Sequence, residues 1–238
     1  MRGCLLQGLY PVGAPVLTNE AKMMNGTDGT AGTDVANTEV NLRLIIAGLG
    51  GQGVVFLTRL LSQTAVSLDY PVMVSETHGM SQRGGSVISH LKVGGNKAAL
   101  IGRGTADVLL ALETDEAVRN LPFLRKGGVA FVNGEGRYSS QHSTLHGLRM
   151  EVTEHLERLN IEVLSIPANR LAQELGTPAV TNVILAGFAA AHPILPLPFD
   201  ALSHTVERIA PRALELNVQA LEIGFRAGQA ALNRVMVE

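Results

Sequence analysis

In the stretch SETHGMSQRGGSV, Ser75 to Val87, the side chains of His78, Gln82 and Arg83 stand among Gly79, Gly84 and Gly85, directly after the apolar run YPVMV. Arg83 carries a fixed charge on a planar guanidinium, and glycines on its C-terminal side let it approach a carboxylate or phosphate with two parallel hydrogen bonds. The competing reading is an arginine that bonds nearby loop carbonyls. His78, with an ordinary pKa near 6.5, is able to donate a hydrogen bond or relay a proton, or else to hold its own turn together. Gln82, like Gln52 upstream, offers an amide that orients a polar ligand or satisfies backbone groups. Glu76 is placed to pair with Arg83 across the loop, while Ser81 and Ser86 have no partners for a nucleophilic triad and read as turn residues.

The second candidate lies upstream. Gly48-Leu49-Gly50-Gly51-Gln52-Gly53 satisfies G-x-G-x-x-G after a strand-like run and before a helix-like one. Such a loop turns tightly, admits close approach and presents unpaired N–H groups at a helix N-terminus, which suits an anion. Glu76 ends the next apolar run, where an acid holding a ribose would sit, so a dinucleotide site is one reading. Two features weaken it. The chain runs from Glu76 through THGMSQRGG straight into another strand-like run, too short a path for a crossover helix, and Gln52 has no part in cradling a phosphate. A purely structural reading also stands, in which the glycines only let strand and helix pack closely.

Both segments need a scaffold, and the periodicity supplies one. LRLIIAG, YPVMVSE, SVISHLKVGG, ADVLLALE, GGVAFVN and IEVLSIP read as about six strands. Val54, Leu57, Leu61, Ala65 and Leu68 recur at helical spacing, Thr114 is an N-cap candidate with Asp115 and Glu116 in the first turn, and ANRLAQELG, AVTNVILAGFAAAH, DALSHTVERIA and RALELNVQALEIGFRAGQAAL read as helices. The expected fold is a three-layer α/β/α, Rossmann-like domain over 41–238 with a largely parallel or mixed sheet and a helical C-terminal part. Residues 1–40, rich in Gly, Thr, Asn and Asp beyond residue 19, read as a flexible leader, with Met23 and Met24 as alternative starts.

Composition excludes several classes. With 19 basic against 21 acidic residues and 4% aromatics, neither phosphate neutralisation nor base stacking is supplied, so nucleic acid is not expected. The one cysteine, Cys4, leaves no internal disulfide and no cysteine-held cluster or zinc site; any iron–sulfur chemistry would reside in another chain. No apolar run reaches bilayer length and the first residues do not make a signal peptide, so no membrane contact and a cytoplasmic location are expected. His142 and His146, with His155 beyond, lie in a polar stretch lacking acidic or cysteine ligands at matching spacing. That stretch reads as a solvated loop, and no metal site is assigned. Leu214, Val218, Leu221 and Phe225 form one helical stripe, read as core or subunit contact, and Asp115, Glu116 and Arg119 read as cap and surface charges.

Taken together, GLGGQGVV and the H-G-M-x-Q-R-G-G-S-V-x-S-H segment from His78 to His90 resemble the gamma-subunit family of the 2-oxoacid:ferredoxin oxidoreductases, in its indolepyruvate branch. TNVILAG and ELNVQALEIGF, with Asn182 and Asn217, strengthen the likeness, which covers about 41–230. The resemblance implies CoA-dependent oxidative decarboxylation of a 2-oxoacid such as pyruvate or an arylpyruvate to an acyl-CoA, with two electrons passed to ferredoxin. It implies that thiamine diphosphate and the iron–sulfur clusters belong to a larger alpha subunit, with coenzyme A as cosubstrate, and that this chain works in a hetero-oligomer. On that basis Arg83 and His78 are the expected catalytic residues. Gly48, Gly50, Gly51, Gln52, Gly53, Gln82, Gly84 and Gly85 are the expected cofactor-facing residues.

Overall fold

Leu44, Ile45, Ile46 and Ala47 are all fully buried, so the first apolar run is covered on both faces and forms an interior strand, β1 (Asn41–Leu49). The computed structural model describes residues 40–78, 85–95, 98–134 and 148–235. The remaining strands are β2 (Val72–His78), β3 (Ser86–Gly94), β4 (Ala106–Ala111), β5 (Leu124–Asn133) and β6 (Glu162–Ile166). They hydrogen-bond in the order β2-β3-β1-β4-β5-β6. β1, β4, β5 and β6 run parallel, whereas β3 is antiparallel to both β1 and β2. The sheet is therefore mixed. Only Gly79 to Gly85 separate β2 from β3, and so short a link cannot carry the chain back across the sheet to start a parallel strand. The path after Glu76, expected to be too short for a crossover helix, is a reversal, and there the sheet departs from the dinucleotide pattern.

Helices cover both faces. On one, α2 (Thr114–Asn120) and α3 (Leu148–Leu159) pack over Ile45, Ala47, Leu109, Ala111, Ala130 and Val132 through Ala117, Leu156 and their neighbours. On the other, α1 (Val54–Ser67) lays Leu57 and Leu61 against Leu44 and Ile46, alongside α4 (Ala168–Glu174), α5 (Thr181–Ala190), α6 (Phe199–Ile209) and α7 (Leu214–Val235). Each fully buried leucine there stabilises the fold by about 2 kcal/mol relative to exposure.

α5 buries nine of its ten residues, Thr181 to Ala189, because it lies between the sheet and α7. The two helices approach until backbone meets backbone. A Cβ on Gly187 would lie 2.0 Å from the Leu221 carbonyl oxygen, and one on Gly224 would lie 2.0 Å from that of Ile184. The buried face of α7 is thus Asn217, Ala220, Leu221, Gly224 and Gly228. Of the expected stripe only Leu221 belongs to it: Leu214 is exposed, and Phe225 stacks on Phe199 at its edge.

Two further expectations are corrected. Glu113, not Thr114, is the N-cap of α2; its extended backbone (φ −143°, ψ 143°) precedes the first helical residue, Thr114. The polar stretch read as a loop becomes helix α3 from Leu148 onward, because Val152, Leu156 and Leu159 recur at helical spacing and pack on the sheet. His142 and His146 lie outside the described residues, as do residues 1–39 of the expected leader. Among the described residues, no helix is long and apolar enough to cross a membrane.

Candidate functional site at the glycine loop

The glycine loop leaves β1 at the C-terminal edge of the parallel strands, beside the end of β4 and the start of β3. Strand ends of this kind collect ligands and partner surfaces in α/β sheets. Gly53 has φ +86°, in the left-handed region, and a Cβ there would meet Asn182 Nδ2 at 2.2 Å. Only glycine suits that position. Asn182, buried on the first turn of α5, donates from Nδ2 to the Gly53 carbonyl at 3.1 Å and accepts the Val183 N–H on Oδ1 at 2.9 Å. The loop is thereby pinned from beneath by a residue 129 positions away.

Gln52 closes the loop from within. Its Oε1 accepts the Leu49 N–H at 2.8 Å, and its Nε2 donates to Glu113 Oε1 at 2.6 Å. Gly50 N–H donates to the Gly85 carbonyl at 2.9 Å, and Gln52 N–H to the Leu49 carbonyl at 3.1 Å. The N–H groups of Leu49, Gly50 and Gln52 are therefore engaged inside the fold. A loop awaiting a diphosphate would keep such donors open, and here a carboxylate, Glu113, stands against it.

Ser86, which opens β3, donates from Oγ to Glu116 Oε2 at 2.6 Å. Glu116 is fully buried and also accepts from Arg119 Nη1 at 2.6 Å on Oε1, so it is no surface charge. Burial of a carboxylate is tolerated when both oxygens are bonded and a cation is adjacent, and the first turn of a helix adds a favourable field. Asn133 at the end of β5 donates to the Leu112 carbonyl at 3.1 Å and accepts the Asn169 N–H at 3.2 Å, joining the ends of β4 and β5 to α4.

Of the residues singled out from the sequence, the structure brings Gly48, Gly50, Gly51, Gln52, Gly53 and Gly85 together, with Glu76 and His78 on β2, across β3. Gln82, Arg83 and Gly84 lie outside the described residues, and with them the Glu76–Arg83 pairing. Sequence reasoning missed Glu113 and misread Glu116. The available signal was the acidic residue closing the apolar run ADVLLALE, since strand-end residues face the same crevice as the glycine loop.

Midway along β3, His90 is buried, and its Nδ1 accepts the Ile101 N–H at 3.1 Å while its ring meets Phe123 edge-on at 5.7 Å. Burial, with the Lys92 charge beside it, holds this imidazole below its usual pKa. At the opposite edge of the sheet, Asp107 accepts from Arg43 (3.1 Å) and Arg125 (2.6 Å). Burial alone would raise its pKa, but the arginine hydrogen bonds outweigh it and hold the carboxyl below the ordinary range.

The family model for pyruvate ferredoxin/flavodoxin oxidoreductase matches residues 43–227, nearly the whole described fold. The chain belongs to that family. Among curated proteins of the pyruvate ferredoxin/flavodoxin oxidoreductase family, it is similar to the indolepyruvate oxidoreductase subunit IorB of Pyrococcus horikoshii, 34% identical over 80% of this chain and 97% of that one. The fold is that of the gamma subunit of a keto/oxoacid ferredoxin oxidoreductase from Geobacter sulfurreducens (TM-score 0.60, 21% identity, 80% of this chain, 99% of that one). It is also found within the 2-oxoglutarate:ferredoxin oxidoreductase of Magnetococcus marinus (TM-score 0.61, 17% identity, 80% of this chain), where it covers 31% of the polypeptide. The gamma-type fold and the oxidoreductase family expected from the two motifs are borne out.

Proposed function

We propose that this chain is the smaller subunit of a 2-oxoacid:ferredoxin oxidoreductase that takes an arylpyruvate such as indolepyruvate. The overall change breaks the bond between the keto carbon and its carboxylate, forms a thioester to coenzyme A, releases carbon dioxide and passes two electrons to ferredoxin. The similarity to the IorB chain over nearly its full length carries this reading. Thiamine diphosphate, which supplies the carbanion chemistry when bound, is assigned with the iron–sulfur clusters to a larger alpha subunit. The Glu113 carboxylate held against the glycine loop supports that division, since a negative charge there opposes a diphosphate. Within the chain, Arg83 and His78 are proposed to meet a charged group of substrate, coenzyme A or cofactor, and Gly48, Gly50, Gly51, Gln52, Gly53, Gln82, Gly84 and Gly85 are the proposed cofactor-facing residues.

The test is anaerobic affinity capture of the chain from its native cell. A larger chain co-eluting with bound iron and thiamine diphosphate, and arylpyruvate- and CoA-dependent dye reduction by that assembly, are expected. Elution alone, with neither cofactor, would overturn the reading. In the active assembly, Arg83→Ala should abolish most turnover with the complex intact; unaltered turnover would leave the chain only a scaffolding part. A stand-alone dinucleotide enzyme is disfavoured by the β2–β3 reversal and by the engaged loop N–H groups, and nicotinamide titration of the isolated chain should show no binding.

A further inference from the structure

We propose that the first turn of α2 is a positioning device that ties the glycine loop and the root of the motif segment to each other, with Glu113 and Glu116 as its two posts. The two carboxylates are three residues apart, which places them on neighbouring positions of one helical face. Each receives a hydrogen bond of 2.6 Å from a different loop: Gln52 Nε2 reaches Glu113, and Ser86 Oγ reaches Glu116. The loops are joined directly by Gly50 N–H to the Gly85 carbonyl at 2.9 Å. The circuit is closed: glycine loop, Glu113, α2, Glu116, Ser86, Gly85 and back to Gly50.

One further bond holds the start of α2 to the sheet, and a second is made within α2 itself. Leu112 N–H, just before α2, donates to the Ala47 carbonyl of β1 at 2.9 Å, and Asn120 Nδ2 caps the Glu116 carbonyl at 2.8 Å. Glu116 is fully buried; Arg119 balances its charge, but a buried carboxylate oxygen that loses its hydroxyl donor bears the desolvation cost of an unsatisfied acceptor. Ser86 therefore cannot move off Glu116 cheaply, and Gly85 and Gly50 move with it. In this arrangement Glu113 and Glu116 act through the loops they hold. The inference rests on the proposed function only for its kinetic consequence, because the coupling itself is a property of this fold.

The experiment compares Ser86→Ala, Ser86→Thr, Glu113→Ala and Glu113→Gln with wild type in the full-length chain assembled with its partner. Hydrogen exchange is followed in peptides covering 48–57 and 85–94, with steady-state turnover in parallel. Ser86→Ala and Glu113→Ala should each accelerate exchange in both peptides. Each should lower kcat about tenfold, the scale of a small misplacement of reacting groups, with little change in KM for the 2-oxoacid. Ser86→Thr, which keeps the hydroxyl, should restore both readouts, and Glu113→Gln should fall between. The double alanine variant should lose little more than either single one, since both act through one junction. Faster exchange confined to the peptide that lost its own bond, or unaltered kcat in an active assembly, overturns the inference. An inactive wild-type assembly overturns the proposed function instead, and the exchange result alone then decides the coupling.

Discussion

At the scale of single residues, the loop at Gly48–Gly53 separates two costs that glycine avoids. Gly51 and Gly53 both have φ in the left-handed region, at +99° and +86°, but a Cβ on Gly51 meets nothing within 4 Å while one on Gly53 collides with Asn182. Gly51→Ala should therefore cost only the backbone penalty, about 1 kcal/mol, and Gly53→Ala about 3 kcal/mol or more once overpacking is added. Urea unfolding of the two variants measures the difference. Asn182→Ala combined with Gly53→Ala should recover part of the loss, because it removes the amide that the new Cβ strikes.

His90 offers a pH test. Its pKa is lowered in the folded chain, so the unfolded chain binds the proton more readily, and stability present above about pH 6.5 is lost as pH falls through that value. Wild type should lose melting temperature as pH falls below about 6.5, and His90→Gln should lose less over the same fall. The G-x-G-x-x-G spacing was legible in the sequence. The identity of what presses on Gly53, and of what Gln52 reaches, was not, because neither partner is a sequence neighbour.

At the scale of elements, the packing of α5 on α7 depends on glycines that no apolar periodicity reveals. Hydrophobic spacing pointed to Leu214, Val218, Leu221 and Phe225, since large side chains dominate any such pattern. The contact is instead made where side chains are missing, at Gly187, Gly224 and Gly228, which lets two backbones close to van der Waals distance. Gly224→Ala should destabilise the chain by about 2 kcal/mol or more, despite raising helix propensity by about 1 kcal/mol. Ala230→Gly on the exposed side of the same helix should lose only the propensity. Thermal unfolding of the pair checks the sign and order. The N-terminus of α2 was legible to within one residue from the acids at 115 and 116, whereas the burial of Glu116 depends on Ser86 arriving from another strand.

At the scale of the whole molecule, the two edges of the central sheet have different tasks. The C-terminal strand ends carry the loops proposed to act, and the opposite edge is held by Asp107 between Arg43 and Arg125, which ties the starts of β1, β4 and β5. The lowered Asp107 pKa contributes stability above about pH 4 that is lost as pH falls below it. Asp107→Asn should cost about 1 kcal/mol at neutral pH, discounted for the partly exposed arginines, and the gap to wild type should close in acid. Unfolding free energies at about pH 7 and pH 3 test this. The order of the strands, by contrast, is a cooperative property: the short reversal pairs β3 with β2, and the other side of β3 pairs with β1.

The sequence by itself determined the six apolar strands, the helices that cover them other than α3, and the family, because alternation, helical spacing and the glycine motifs are local signals. It left the sheet as largely parallel or mixed, with no crossover helix after Glu76, and the antiparallel placing of β3 between β2 and β1 came from the structure. Only the tertiary structure decided what the loops are fastened to. Gln52 meets Glu113 across 61 positions, Ser86 meets Glu116 across 30, and Asn182 meets Gly53 across 129. Hydrogen bonds between residues so far apart leave no local pattern, because the chain between them is free to vary until the sheet brings its strand ends to one edge.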